Sequence, residues 1–278
     1  MLIFGGSLPA TRLAVAGLDP WFLTVARAGI AGVIALILLL ALRQPRPSRQ
    51  DVASLVIVAV GVVVGFPLLT ALALRHISTA HSILFTGLLP LATASFGVMR
   101  AGEQPSPGFW LFACMGGLLV AGYALFLEPD ANLPGDGLMV AAVLVCGLGY
   151  AEGGLLSRTL GGWQVICWAL ALSLPLALMC LPFVAWPAWP LVPASAWLGL
   201  GYVTLFSMLI GFMFWYRGLA LGGIAAVGQL QLLQPFVALG LAAALLHEVI
   251  APGMLAVMLA VLACVAGARH FSNGRKQS

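Results

Sequence analysis

Charge is what this chain has least of. Lys and Arg number 12 and Asp and Glu 8 in 278 residues, so 7% of the chain is charged, whereas a soluble domain carries about 25%. So few ions cannot cover a surface facing water. Several chemistries are missing as well. There is no GxxxxGK[ST] loop to cradle ATP phosphates, which excludes the usual ATP-driven machinery. There is no HExxH and no Gly-x-Ser-x-Gly, so an intramembrane hydrolase lacks its nucleophile or its metal, and the reading is non-enzymatic. No CxxC occurs. Cys114, Cys146, Cys167, Cys180 and Cys264 all fall in apolar stretches and imply neither a metal site nor a disulfide framework. The N-terminus has no basic region and does not read as a cleavable signal. Strands of alternating polarity, as in a membrane β-barrel, are absent.

What is present is apolar sequence, 62% of residues, and a pattern written twice. Pro90, Glu103, Pro107 and Gly108 recur 145 positions later as Pro235, Glu248, Pro252 and Gly253. In the same register Ala80, Leu88, Val120, Ala121 and Gly122 match Ala225, Leu233, Val265, Ala266 and Gly267. Leu, Ala and Val coincide by chance in any two apolar sequences. Pro, Glu and Pro-Gly in one register do not, so the chain is internally duplicated.

Ten spans can be read, at 2–18, 21–42, 52–74, 77–99, 109–127, 137–156, 163–186, 194–216, 219–246 and 251–268. A bilayer crossing needs about 20 apolar residues in helix, and a helix satisfies its own backbone in lipid. The fold expected is an all-α membrane protein of ten transmembrane helices. The first span is short and interrupted by Gly5, Gly6, Ser7 and Pro9. It is either a broken, tilted helix or one whose start lies upstream of Met1, the second being favoured. Ser48 suits the cap of the third helix. The longest polar joint, from Glu128 to Asp136, falls where a duplication needs its seam. The domains expected are 1–127 and 135–270, with a tail at 271–278.

Basic residues sort by side. With the N-terminus cytoplasmic, the inner joints hold Arg43, Arg46, Arg49, Arg100, Arg158, Arg217, Arg269, Arg275 and Lys276, and the outer joints only Arg75. The positive-inside rule then puts both termini in the cytoplasm. It also accounts for the net charge of +4 without nucleic acid as a partner. Five spans per copy is an odd number, so the second copy enters from the opposite side. Inverted repeats of this kind exchange inward-open and outward-open shapes about a midplane site, which makes the chain a carrier of small molecules.

The Pro90…Glu103-Gln104-Pro105 pattern, its copy at Pro235…Glu248, Val25-Ala26-Arg27 opening the second span and Gly6-Ser7 in the first together resemble the EamA-type drug/metabolite transporters. The resemblance covers nearly the whole chain. It implies ten helices, a central cavity and movement of small metabolites such as amino acids or drugs across a bacterial inner membrane, without fixing substrate, direction or oligomeric state; a monomer suffices. A non-transporting receptor or assembly subunit is the alternative.

Site residues follow from polarity inside spans. Thr86 maps onto Gln231 in the duplication; Ser82 and Thr86 share a helix face, as do Gln231 and Gln234. Pro90 and Pro235 deprive the carbonyls of Thr86 and Gln231 of their helix donors, so solute is expected at this level. His81 can carry a coupling proton. Glu152 is an acid inside a span, expected either to pair with Arg158 or to bind a substrate amine or a proton. Phe85, Trp215 and Tyr216 offer rings for stacking. Glu103 and Glu248 suit helix N-termini; by topology Glu103 can meet only Arg158, and Glu248 only Arg12, giving a gate at each face. Arg27 serves as an interfacial anchor or faces the cavity. No cofactor or metal is implied.

Overall fold

The computed structural model describes residues 1–102, 106–126, 132–228, 230–231, 234–246 and 252–272. Among them the chain forms ten helical rods and no strand. They are α1 (Leu2–Val15), α2 (Pro20–Ala41), α3 (Arg49–Ala73), α4 (Thr79–Arg100), α5 (Pro107–Phe126), α6 (Leu133–Leu160), α7 (Gly162–Cys180), α8 (Ala194–Gly222), α9 (two segments, Ile224–Gly228 and Gln234–Leu246) and α10 (Pro252–Ser272). By length and composition α2, α3, α4, α6, α7 and α8 can each cross a bilayer alone; the rest have shorter apolar stretches.

Local chemistry sets several starts. Asp19 caps α2 by accepting the Trp21 and Phe22 N–H groups, with Pro20 in the first turn. Ser48 caps α3 as the sequence suggests, and Asp51 returns the bond to the Ser48 N–H to complete a capping box. The first rod is interrupted at Gly6. α6 runs unbroken for 28 residues.

The duplication is visible in backbone detail. In α3, Ala59–Gly65 winds as a π-helix that closes with Phe66 N–H donating to Gly61 O. In α8, Tyr202–Ile210 does the same and closes with Gly211 N–H donating to Phe206 O. Residues 66 and 211 are 145 apart, as are 61 and 206. π-turns are rare and concentrate at functional sites, so a matched pair is a repeat signature. Both Pro-bearing rods also break at one level. α4 is interrupted after Thr86 and resumes at Leu89, ahead of Pro90. The second segment of α9 starts at Gln234, ahead of Pro235. In the first turn of a segment proline costs no hydrogen bond.

The copies are inverted. α2 and α7, equivalent under the duplication, pack antiparallel, with Phe22 beside Trp186 (5.7 Å) and Gly32 against Leu170 and Leu174. So do α5 and α10. The Ser106 hydroxyl donates to Phe271 O at 2.7 Å, and farther along α5 Gly116 lies against Cys264. Exchange between antiparallel equivalents is what a two-fold axis in the membrane plane produces. Arg43, Arg49, Arg100, Arg158 and Arg217 thereby gather at one end of the bundle, here termed the basic end, with Asp19 and Asp136 at the other.

Candidate functional site

Besides these antiparallel pairs, two pseudo-equivalent seams join the copies: α4 beside α6, and α9 beside α1. The α4–α6 seam is polar at both ends. Near the basic end the Arg100 fork grips Glu152, Nε donating to Oε2 at 2.7 Å and Nη2 to Oε1 at 3.0 Å. Ser54 of α3 adds a third donor to Oε1 at 2.6 Å. At the other end His81 Nε2 lies 2.7 Å from Asp136 Oδ1, both residues buried. Between them α6 approaches α4 so closely that a Cβ on Gly147 would sit 2.7 Å from that of Ala92.

This corrects the pairing expected of Glu152. Six residues carry a helix through about 600°, so Glu152 and Arg158 point 120° apart; Arg158 is exposed and Arg100 takes the carboxylate. Asp136, read from the sequence as part of a polar joint, lies in the first turn of α6 and faces His81. Neither partner has a local signal. The clue was indirect: a buried acid or imidazole requires a partner.

The opposite seam is built differently. Ser7 stands where the duplication puts Glu152, and its hydroxyl shares a 2.7 Å hydrogen bond with Ser207 of α8. Gly5 lies directly against Val237 and Gln234 O of α9. Arg12 donates to Leu74 O. Its expected partner Glu248, and Glu103 at the other proposed gate, lie outside the described residues.

Towards the basic end, between the copies, lie a cluster of aromatic rings and several unspent polar atoms. Trp215 packs on Tyr150 (5.5 Å) and Phe4 (6.3 Å), and Phe212 touches both of the latter. The Trp215 indole Nε1 is buried without a partner. So are both amide atoms of Gln231, a residue 2% exposed, and the hydroxyl of Thr93. Gln231 and Thr93 both lie 3.8 Å from the Cβ position of Gly228. A buried amide with no hydrogen bond costs about 1–3 kcal/mol, so this cluster has capacity that the protein itself does not use. Gln234 is buried on the same helix; Gln229 lies outside the described residues.

The other expected residues have mostly local uses. Ser82 donates to Ser78 O and Thr86 to Ile83 O, each within its own helix turn. Phe85 packs against His81. Tyr216 is a packing residue: its hydroxyl donates to Gly149 O and its ring fills the space over Gly153. Nothing in the spacing of Thr93, Tyr150 and Phe4 distinguishes them in sequence from packing residues. Among the described residues no cluster of His, Cys, Asp and Glu could hold a metal. Elsewhere, an apolar cavity of about 420 Å³ lies among α2, α3 and α7, lined by Thr24, Ala28, Val64 and Ser173.

Comparison with known proteins agrees with this architecture. A crystal structure described only as that of a protein superposes with a TM-score of 0.68 at 20% identity, covering 96% of this chain and 94% of the other; at that identity the likeness concerns the fold alone. The chain is 61% identical over 272 residues to the uncharacterized transporter YdeK of Bacillus subtilis (strain 168), spanning 98% of this chain and 95% of the relative. The model of the EamA-like transporter family matches residues 1–126 and again 133–268. The protein spans a membrane, and its chain belongs to the EamA-like transporter family.

Proposed function

We propose that this protein is a secondary transporter of the bacterial plasma membrane that exports or exchanges a small metabolite, with amino acids the leading class. Its two repeats occupy 1–127 and 135–270, with 271–278 as a tail, and both termini are cytoplasmic because the basic residues crowd that end. The cycle is alternating access: the inverted copies trade shapes, and solute sits between them. Trp215, Gln231 and Gln234 form the berth, with Thr93 and Tyr150 beside them, at the level where the rods break ahead of Pro90 and Pro235. Ser82 and Thr86, whose hydroxyl oxygens can still accept, line its far side. Glu152 and His81 hold the α4–α6 seam, and the His81–Asp136 pair is where a coupling proton would bind. Glu103 with Arg158 and Glu248 with Arg12 are the proposed gate pairs.

One observation supports this reading above the rest: a buried, unpartnered indole among aromatic rings and a buried, unpartnered amide near Thr93, both between elements of the inverted repeats. A non-transporting subunit would have no use for that capacity. In the test, purified protein is reconstituted into liposomes loaded with the twenty proteinogenic amino acids, and efflux is followed by mass spectrometry without ATP. Efflux that falls at least about tenfold in Gln231→Ala, consistent with losing a berth hydrogen bond, supports the reading; no efflux above protein-free liposomes refutes it.

A further inference from the structure

Arg27 has not been given a task. It is the eighth residue of α2, about 10 Å along the rod from Pro20, and only 6% exposed. A guanidinium offers five N–H donors in a planar fork. Here Nη2 donates to Val203 O at 3.1 Å, inside the π-helical stretch of α8, and Nε is buried with no partner.

No described carboxylate relieves it. Asp19 caps α2 and faces Arg75, Asp51 closes the Ser48 capping box, Asp136 is with His81, and Glu152 is with Arg100. A cation at this depth is costly and is retained for function or for a partner. The fold does not demand it: the equivalent position in α7 is Leu172, partly exposed and apolar. Thr24, three residues earlier and so on the same face of α2, lines the cavity of about 420 Å³ among α2, α3 and α7. A buried fork with free donors, one helical turn from a cavity-lining threonine, matches an oxyanion that presents two parallel oxygens, and the apolar lining of that cavity favours the singly charged carboxylate over a phosphate.

We propose that Arg27 is a carboxylate-binding residue on the solute path, so that the transported metabolite carries a carboxylate. This rests on the carrier reading above for the path, and adds the class of solute. Val203 O, in the π-helical stretch of α8, aims the fork, and the unpaired donors take the anion on the side of the bundle away from Trp215 and Gln231.

The test is a binding measurement on the detergent-purified full chain. Probes are the twenty proteinogenic amino acids and the straight-chain monocarboxylates from acetate to octanoate, each beside its carboxamide. The expected result is that at least one carboxylate raises Tm by about 5 °C near saturation while its amide does not. Arg27→Gln weakens that response at least ~30-fold, and Arg27→Lys, which keeps charge without the fork, restores part of it. The proposal is overturned if no carboxylate stabilises the wild type, if amides act equally, or if Arg27→Gln responds as wild type does. Should neither variant accumulate, phenylglyoxal labelling of Arg27 in the wild type decides: protection by the stabilising carboxylate supports the assignment, and none overturns it. Stabilisation without liposome efflux leaves Arg27 assigned and removes the carrier reading; efflux that ignores the carboxylate does the reverse.

Discussion

Helix α4 runs beside α6, and α9 runs beside α1 under the same pseudo-two-fold, yet the two contacts share little chemistry. The first is pinned at one end by an arginine–glutamate fork and at the other by a histidine–aspartate pair, along a rod of 28 unbroken residues. The second has a serine in place of the glutamate, a leucine (Leu245) in place of Arg100, and Gly5 pressed on Val237. Both of its rods are interrupted. Duplication copied the backbone, down to its π-turns, and among the described residues left the ion pairs on one side. In the proposed cycle the pinned seam carries the load and the bare one moves.

Cross-linking gives the largest expected contrast. In a cysteine-free background, Gly5→Cys with Val237→Cys, oxidised, should cut efflux more than about tenfold, with recovery on reduction, because gating motions stop when their element is tied. The mirror pair Ala92→Cys with Gly147→Cys should leave efflux within about twofold. Equal inhibition by both pairs would erase the distinction. A smaller effect is expected from transplanting the fork. Ser7→Glu with Leu245→Arg puts the ions of the first seam onto the second, and efflux should slow several-fold while thermal stability holds; an unchanged rate would mean the bare seam is not the mover.

Breaking the fork acts on stability. Glu152→Gln should lower the unfolding free energy by about 2 kcal/mol, the scale of hydrogen bonds to a charged group, read as a fall in Tm. Arg100→Gln should cost at least as much, because it leaves the buried Glu152 carboxylate without its cation and with Ser54 as its remaining donor. At the small end, Ser7→Ala removes the bond to Ser207 and should cost about 0.6 kcal/mol, as interhelical hydrogen bonds in membranes do.

Much of the fold could be read before any coordinates. Pro90 and Pro235 marked the register of the repeat, the arginines sorted the faces, and Ser48 announced its cap. Those signals are local, written within one span or joint. The seam pairs are not. Arg100 and Glu152 lie on separate rods, and only the packing of α4 on α6 brings them together; Arg158 is near in the chain but stands at the wrong helical angle. Gln231 and Trp215 were legible as polar or aromatic residues in apolar surroundings, but Thr93 and Tyr150 join them only through tertiary packing. The π-turns left no trace, since Ala59–Gly65 and Tyr202–Ile210 share few residues.

Those widened turns have a genetic corollary. A π-turn absorbs one residue beyond ordinary winding, so whatever follows keeps the heading it would have had without it. Removing a single codon within 59–65 or 202–210 should therefore leave Phe66–Ala73 and Gly211–Gly222 aimed as before. The same deletion elsewhere in those rods swings every later side chain by about 100°. Length can thus drift by one in two mirrored places without turning Trp215 away from its ring partners, and single-residue gaps among relatives should collect there.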